Sequence, residues 1–296
     1  AEEIAPQVAP MNAPSMSVMH RALCLCLMFA GACTRDAPKA PPEQEGAAER
    51  RVEKTPRHDL GGVPKIRVMH TKQPPNLDGS LDEPAWRLAR STGAFVETLK
   101  GGASKLQASA KLLWDEHFLY LGAVVQDSLL RASQRHHDAH LWEQDSVELM
   151  IDPDGDELDY YEVQVSPGGV VFDTRFDARR VPKPFGHVDW DGNVRVGVSI
   201  DGTLDDEERD AGYVVEIAIP WQAFSLEGKP VEAPAIGDEW RANIYVLDLF
   251  EEGQQAVAWS PPGIGDFHVP PRFGILLFEG ESDEMVNDLE SVGVPR

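Results

Sequence analysis

From about residue 106 onward the chain alternates apolar and polar residues again and again. Leu106, Ala108, Ala110 and Leu112 alternate with Gln107, Ser109 and Lys111. Leu119, Leu121, Ala123 and Val125 repeat the pattern, as do Val147, Leu149 and Ile151, then Tyr161, Val163 and Val165. Val194–Ile200, Tyr213–Ile219 and residues 240–249 and 273–278 complete the set. A period of two sends successive side chains to opposite faces, so each run predicts a strand with one buried face. Trp114-Asp115-Glu116-His117, Asp154-Gly155-Asp156, Pro167-Gly168-Gly169 and Asp201-Gly202-Thr203 stand between the runs and favour turns. The fold expected is all-β, a β-sandwich of two mostly antiparallel sheets, immunoglobulin- or jelly-roll-like, with short helical turns. Ahead of the strands, Asp82 is placed to cap a short helical start with Pro84 in its first turn. Trp86 and Trp221 are expected in the core and Trp114 at a hairpin.

The N-terminal fifth reads differently. Leu25-Cys26-Leu27-Met28-Phe29-Ala30-Gly31-Ala32-Cys33 is an apolar run ending in small residues and a cysteine, preceded by His20 and Arg21. Such a run reads as an export signal, and it resembles the bacterial lipobox, in which cleavage precedes a cysteine that carries lipid. Residues 1–32 are therefore expected to be a signal peptide. Residues 1 to about 18 are acidic and proline-containing, and Met16 or Met19 makes a more ordinary start. Cys33 is the expected lipidation site. Residues 33–62 are rich in Pro, Ala, Glu and Arg and cannot bury enough apolar area to fold, so a tether is expected there. The single folded domain is placed at residues 63–296. Thr34 after the lipid cysteine, in place of Asp, favours the outer membrane of a Gram-negative bacterium.

Charge narrows the partners. With 50 acidic against 27 basic residues the formal net charge is -23, which repels a nucleic-acid backbone and excludes that class. Beyond the leader, no apolar stretch is long enough to cross a membrane. Cys24 and Cys26 fall in the leader, so no disulfide is expected in the domain, which is large enough to rely on its core.

Six motifs carry a resemblance. They are Leu77-Asp78-Gly79-Ser80-Leu81-Asp82-Glu83-Pro84-Ala85-Trp86, Leu113–Leu121, Trp142–Pro153, Tyr160–Pro167, Gly212–Trp221 and Phe267–Gly274. In this order and spacing, over about residues 70–279, they resemble the family-9 carbohydrate-binding module, a β-sandwich of the DOMON-like type. The resemblance implies non-catalytic binding of a plant-type or other poly- or oligosaccharide. It also implies tryptophans that grip the glycan, calcium that holds loops, and attachment to xylan-degrading enzymes. A free lipoprotein at the cell envelope, monomeric and without a catalytic domain, is the expected form here.

A sugar ring offers C–H faces edged with hydroxyls, so its site needs a flat aromatic platform and short polar groups. Trp142, just ahead of a strand, and Trp190, in a polar loop, suit platforms, and Trp259 is a third candidate. Glu148, Glu162, Gln164 and Glu216 alternate in phase against the apolar residues of their strands, and Arg241 and Asn243 do the same. If these strands are neighbours, one face carries a polar row suited to hydroxyls, with Arg241 offsetting the acids. Asp152, Asp154, Asp156 and Asp159 crowd one tight loop and are the candidate ligands for a structural Ca2+. His136-His137-Asp138-Ala139-His140 gathers histidines without a His-Glu-x-x-His helix motif, and zinc is not expected. Two other readings compete: a glycoside hydrolase using a pair among Glu148, Glu162 and Glu216, or an envelope scaffold without a sugar ligand. No Cys-x-x-Cys-His is present, so covalent haem is not expected.

Overall fold

A computed structural model describes residues 62–226, 228–250 and 253–281. The expected signal peptide, Cys33 and all of the tether but Gly62 lie outside the described residues. The strands are β1 (Lys65–His70), β2 (Val96–Glu97), β3 (Gln107–Trp114), β4 (Phe118–Gln126), β5 (Ser146–Asp152), β6 (Tyr160–Val165) and β7 (Val171–Phe176). They continue with β8 (Arg195–Asp201), β9 (Gly212–Pro220), β10 (Ser225–Leu226), β11 (Lys229–Pro230), β12 (Glu239–Phe250), β13 (Gly253–Ala258) and β14 (Gly274–Glu279). One short helix, α1 (Pro84–Leu88), precedes β2. Among the described residues no helix is long and apolar enough to cross a membrane.

The alternating runs all form strands. Their hydrogen-bonded order is β7-β6-β5-β12-β14-β1-β3-β4-β9-β8, with β13 pairing both β12 and β2. The β10–β11 hairpin stands apart. Most pairings are antiparallel, but β1 runs parallel to both β14 and β3 and joins two halves of one curled sheet. The halves face each other across a common core. Val147, Leu149, Tyr161, Val163, Ile244 and Val246 come from one half, and Leu112, Leu121, Val215 and Ile217 from the other. This apolar contact is the main stabilising term of the sandwich.

Two local expectations change. Asp82 does not cap α1: Glu83 holds the N-cap position with no side-chain hydrogen bond, and Pro84 opens the helix. Trp86 is fully buried as expected, in a second core cluster with Met69, Leu113, Tyr120 and Ala218 on the outer face of the β3–β4–β9 half. Trp114 lies within β3 and packs in the main core, its Nε1–H donating to the Glu279 carbonyl at 2.9 Å. Trp221 is in the core as expected.

β5 and β6 are buried on both faces along their whole length. A sandwich strand normally shows one face to water. Here loops cover the outer face of these strands. They carry Trp142, Phe185, Phe267, His268 and Phe273, and they pack around Met150, Tyr160, Phe176 and Tyr245.

Candidate functional site

The outer face of β5, β6, β7 and β12 forms two polar-bearing rows. Tyr245, Glu148, Gln164 and Phe172 stand side by side across the four strands. Asn243, Met150, Glu162 and Thr174 form the neighbouring row. Pairing of β5 with β6 is what brings Glu148, Glu162 and Gln164 together. All three side chains are buried, which costs free energy unless their polar atoms find partners. Gln164 supplies part of this. Its amide Nε2 donates to Glu162 Oε1 at 2.6 Å and to Glu148 Oε2 at 3.1 Å. Glu148 Oε1 and Gln164 Oε1 receive no hydrogen bond from the described residues.

Above this floor lies a cavity of about 260 Å³, walled by Trp142, Phe172, Phe185 and Phe267 and rimmed by Arg180, Gln254, Asp266 and His268. Trp142 is half-buried on a 3-10 turn, Leu141–Glu143, directly ahead of β5. Its ring stacks on His140 at 4.4 Å and meets Phe172 edge-on at 5.1 Å. Gln254 Nε2 donates to the Trp142 carbonyl at 2.7 Å, tying the turn to β13. Phe267 stacks flat on Tyr245, 4.3 Å between centroids.

The rim is electrostatically ordered. Arg180 Nε and Nη2 both donate to Asp266 Oδ1, at 3.0 and 2.8 Å, and Arg179 Nη2 donates to Oδ2 at 2.8 Å. Burial pushes the Asp266 carboxyl up, but these arginines outweigh it and hold the group below its ordinary range. Burial and the nearby Arg180 push His268 down to about 3, so its ring is neutral. The Arg180 backbone N–H donates to the Tyr160 hydroxyl, which lies 2.8 Å from His268 Nδ1. Burial keeps that phenol protonated, so it donates to Nδ1. The imidazole proton then sits on Nε2, 3.5 Å from Glu162 Oε2. Burial raises Glu162 to about 7 against the lowering influence of Gln164 and Arg180. Burial, then the neighbouring Glu162, pushes Glu148 well above the carboxylate range.

Of the residues singled out from sequence, Trp142, Glu148, Glu162 and Gln164 line this one cavity. Arg241 and Asn243 share its sheet face but are occupied elsewhere. Asn243 exchanges hydrogen bonds with Ser260 at 2.7 and 2.9 Å, and Arg241 donates to the Phe273 carbonyl at 3.1 Å.

Glu216 is not part of the row. Its phase in β9 is as read, but β9 pairs β4 and β8 in the other half of the sandwich. There its carboxylate accepts from the Asp78 and Gly79 backbone and from Trp86 Nε1, at 2.8–2.9 Å. Gly79 has φ of +82° and lies so flat on β8 that a Cβ would meet Ser199 N at 2.2 Å, so the segment needs glycine there. Trp190 lies on the core side of β6, 4.9 Å from the Tyr161 ring, with Nε1 donating to the Ala223 carbonyl. Trp259 is buried in the main core, against Gly274. Neither tryptophan reaches the cavity, because their loops fold back onto the sandwich interior.

Arg180, Phe185, Gln254 and Asp266 were not singled out from the sequence, and Phe267 and His268 stood there only at the head of a motif, with no site role. These come from loops far apart in the chain. Their one local signal is the dense Asp266-Phe267-His268 triplet ahead of β14.

Two acidic groups have the chemistry to hold a cation. In the loop after β5, Asp152, Asp154 and Asp156 converge, but Asp159 turns away to Arg175 Nη1 at 2.7 Å. Both Asp152 oxygens are engaged by the loop's own backbone, from Gly155 and Glu157. The second group is Asp127, Asp145 and Asp248, all buried. Asp127 Oδ2 and the buried Tyr213 hydroxyl beside it have no hydrogen-bond partner among the described residues. Burial raises Asp145 to about 8 and Asp127 to about 6. Three packed, buried carboxylates, one of them with an orphaned oxygen, suit a hard divalent cation better than the loop, whose Asp154 and Asp156 are exposed. Asp127 and Asp248 also line a surface groove of about 640 Å³, which gives an ion access.

Comparison with known proteins follows the same lines. The model of the carbohydrate family 9 binding domain-like family matches residues 77–281. Endo-1,4-beta-xylanase A of Thermotoga maritima is 29% identical over 205 residues, 68% of this chain and 17% of the enzyme. The chain thus spans about a sixth of that relative. A crystal structure from Bacteroides uniformis superposes with a TM-score of 0.60 at 21% identity, covering 73% of this chain and 99% of that one. A family 9 carbohydrate-binding module from Caldicellulosiruptor kristjanssonii, solved with cellotriose, gives a TM-score of 0.52 at 21% identity, covering 78% and 98%.

Proposed function

Because the chain belongs to the carbohydrate family 9 binding domain-like family, we propose that it binds an oligo- or polysaccharide in the cavity over β5 and β6, without cleaving it. One observation carries the assignment: Glu148 and Gln164 each present to a pocket walled by Trp142, Phe185 and Phe267 a buried side-chain oxygen with no hydrogen-bond partner among the described residues. Ring hydroxyls, which both donate and accept, supply the missing partners, and the aromatic walls meet the C–H faces. Arg180 and His268 offer donors from the rim. The Caldicellulosiruptor module's complex with cellotriose supports a β-linked glucan as ligand.

Catalysis fits this geometry poorly. Hydrolysis needs one charged carboxylate and one proton donor placed across the bond. Here Glu148 and Glu162 share a single amide donor and both are driven toward the protonated form. Incubating the protein with cellotriose and separating the mixture tests the assignment. Saturable binding with the trisaccharide recovered intact supports it. Release of shorter sugars, lost in Glu162→Gln, overturns it.

A structural calcium ion is proposed at Asp127, Asp145 and Asp248 in preference to the Asp152 loop. Bound there, it supplies the positive charge that the carboxylates lack. Asp145 accepts from the Arg131 and Leu249 backbone, so the trio ties the segment between Trp142 and Glu148 to β12 and to the chain after β4. The Cys33 lipid anchor and a place at the outer membrane belong to the same reading and rest on the leader sequence.

A further inference from the structure

We propose that His137, Asp138 and Asp173 form a second metal site, for a divalent transition-metal ion of the zinc type. One ligand atom from each lies within 4.8 Å of the others. A turn after β4 places the pair His137 and Asp138. Ala139 N–H bonds the His136 carbonyl, Asp138 N–H bonds the Val171 carbonyl at 3.0 Å, and Asp138 sits at φ +61°. This holds the turn against β7, the last strand of the sheet. Asp173 projects from β7 toward it.

The independent sign of a ligand is Asp173 itself. It is 1% exposed. Its Oδ2 accepts from Gly192 N at 3.0 Å, while Oδ1 has no partner among the described residues. An unpaired buried carboxylate oxygen is costly. The charges acting on it include Asp138 and Asp191 as well as His137, so acids outnumber the one group able to turn positive. A metal ion removes both the orphaned oxygen and the repulsion.

The donor set selects the ion. Calcium takes many oxygens, whereas an imidazole nitrogen with two carboxylates suits zinc and its neighbours and leaves a position for water. The site is thus chemically distinct from the all-carboxylate trio. Its place suggests its effect: it would fasten to β7 the turn that leads, within a few residues, to His140 and Trp142. The three histidines near one another in sequence did not reveal it, because the deciding carboxylate lies on a distant strand.

The test is titration of the whole protein with Zn2+ in excess Ca2+, followed by calorimetry. One equivalent should bind, at least tenfold more weakly in His137→Ala and in Asp173→Asn, and with wild-type affinity in Asp154→Asn. The His137 ring is about half exposed (53%), so His137→Ala leaves the fold intact and decides the matter even if Asp173→Asn does not fold. Co2+ in place of zinc should give a visible absorption band that His137→Ala removes. Absence of a one-equivalent Zn2+ site, or binding that survives His137→Ala, overturns the proposal.

Discussion

The amide nitrogen of Gln164 lies 2.6 Å from Oε1 of Glu162, a residue two places earlier on the same strand. In a flat strand these side chains share a face without needing to touch. Here the loops above have closed over them, and the same amide also reaches Glu148. Gln164 thus orients both acids. Gln164→Leu should weaken glycan binding at least tenfold, more than Glu162→Gln, which preserves an amide acceptor. Isothermal titration with cellotriose compares them.

Glu216 makes the matching control. It accepts three hydrogen bonds that hold the Leu77–Trp86 segment to β8 and β9. Glu216→Ala strands those donors and should cost about 3 kcal/mol of stability. Any glycan affinity measured below the melting range should be unchanged. Urea denaturation and calorimetry separate the two effects.

Trp259 packs inside the core, so Trp259→Ala is expected to cost about 3–5 kcal/mol through the cavity it leaves. Its signature is a lowered urea midpoint. A loss of cellotriose affinity with unchanged stability would place it in the site instead.

The pH dependence has a definite sign. Glu162, Asp145 and Asp152 titrate near 7, 8 and 7 in the folded protein, raised by burial. Between the unfolded carboxylate range and those values the folded state holds protons that the unfolded chain has lost. Stability must therefore fall as pH rises from about 5 to 8. His268, depressed to about 3, acts at the other end, removing stability as pH falls below its unfolded value near 6.5. Thermal melts in chelator should show a lower midpoint at pH 9 than at pH 6.

Calcium should reverse part of that loss. At pH 8 an ion at a hundredfold its dissociation constant adds about 2.7 kcal/mol. Asp145→Asn should abolish the difference between calcium and chelator, whereas Asp154→Asn should leave it. The reverse pattern would return the ion to the Asp152 loop.

Much of the architecture was legible because a period of two is a local property. The phases of Glu148, Glu162, Gln164 and Glu216 were all readable. What was not readable was strand order: Glu216 has the right phase in the wrong half of the sandwich. Tryptophans misled for a related reason. Trp190 and Trp259 sit in polar, proline-rich surroundings that read as exposed loop, yet tertiary packing turns both rings inward. The rim formed by Arg180, Asp266 and His268, and the Asp127, Asp145 and Asp248 trio, join residues from separate loops and strand ends. No local window contains them.

The central claim is that ligand binds over β5 and β6 at Trp142. Titrating cellotriose into the wild type, Trp142→Ala and Trp190→Ala tests it most directly. Removing the platform should cost about 2 kcal/mol of binding free energy or more, with Trp190→Ala retaining wild-type affinity once shown to be folded. Binding that survives Trp142→Ala and is lost in a folded Trp190→Ala would contradict the account.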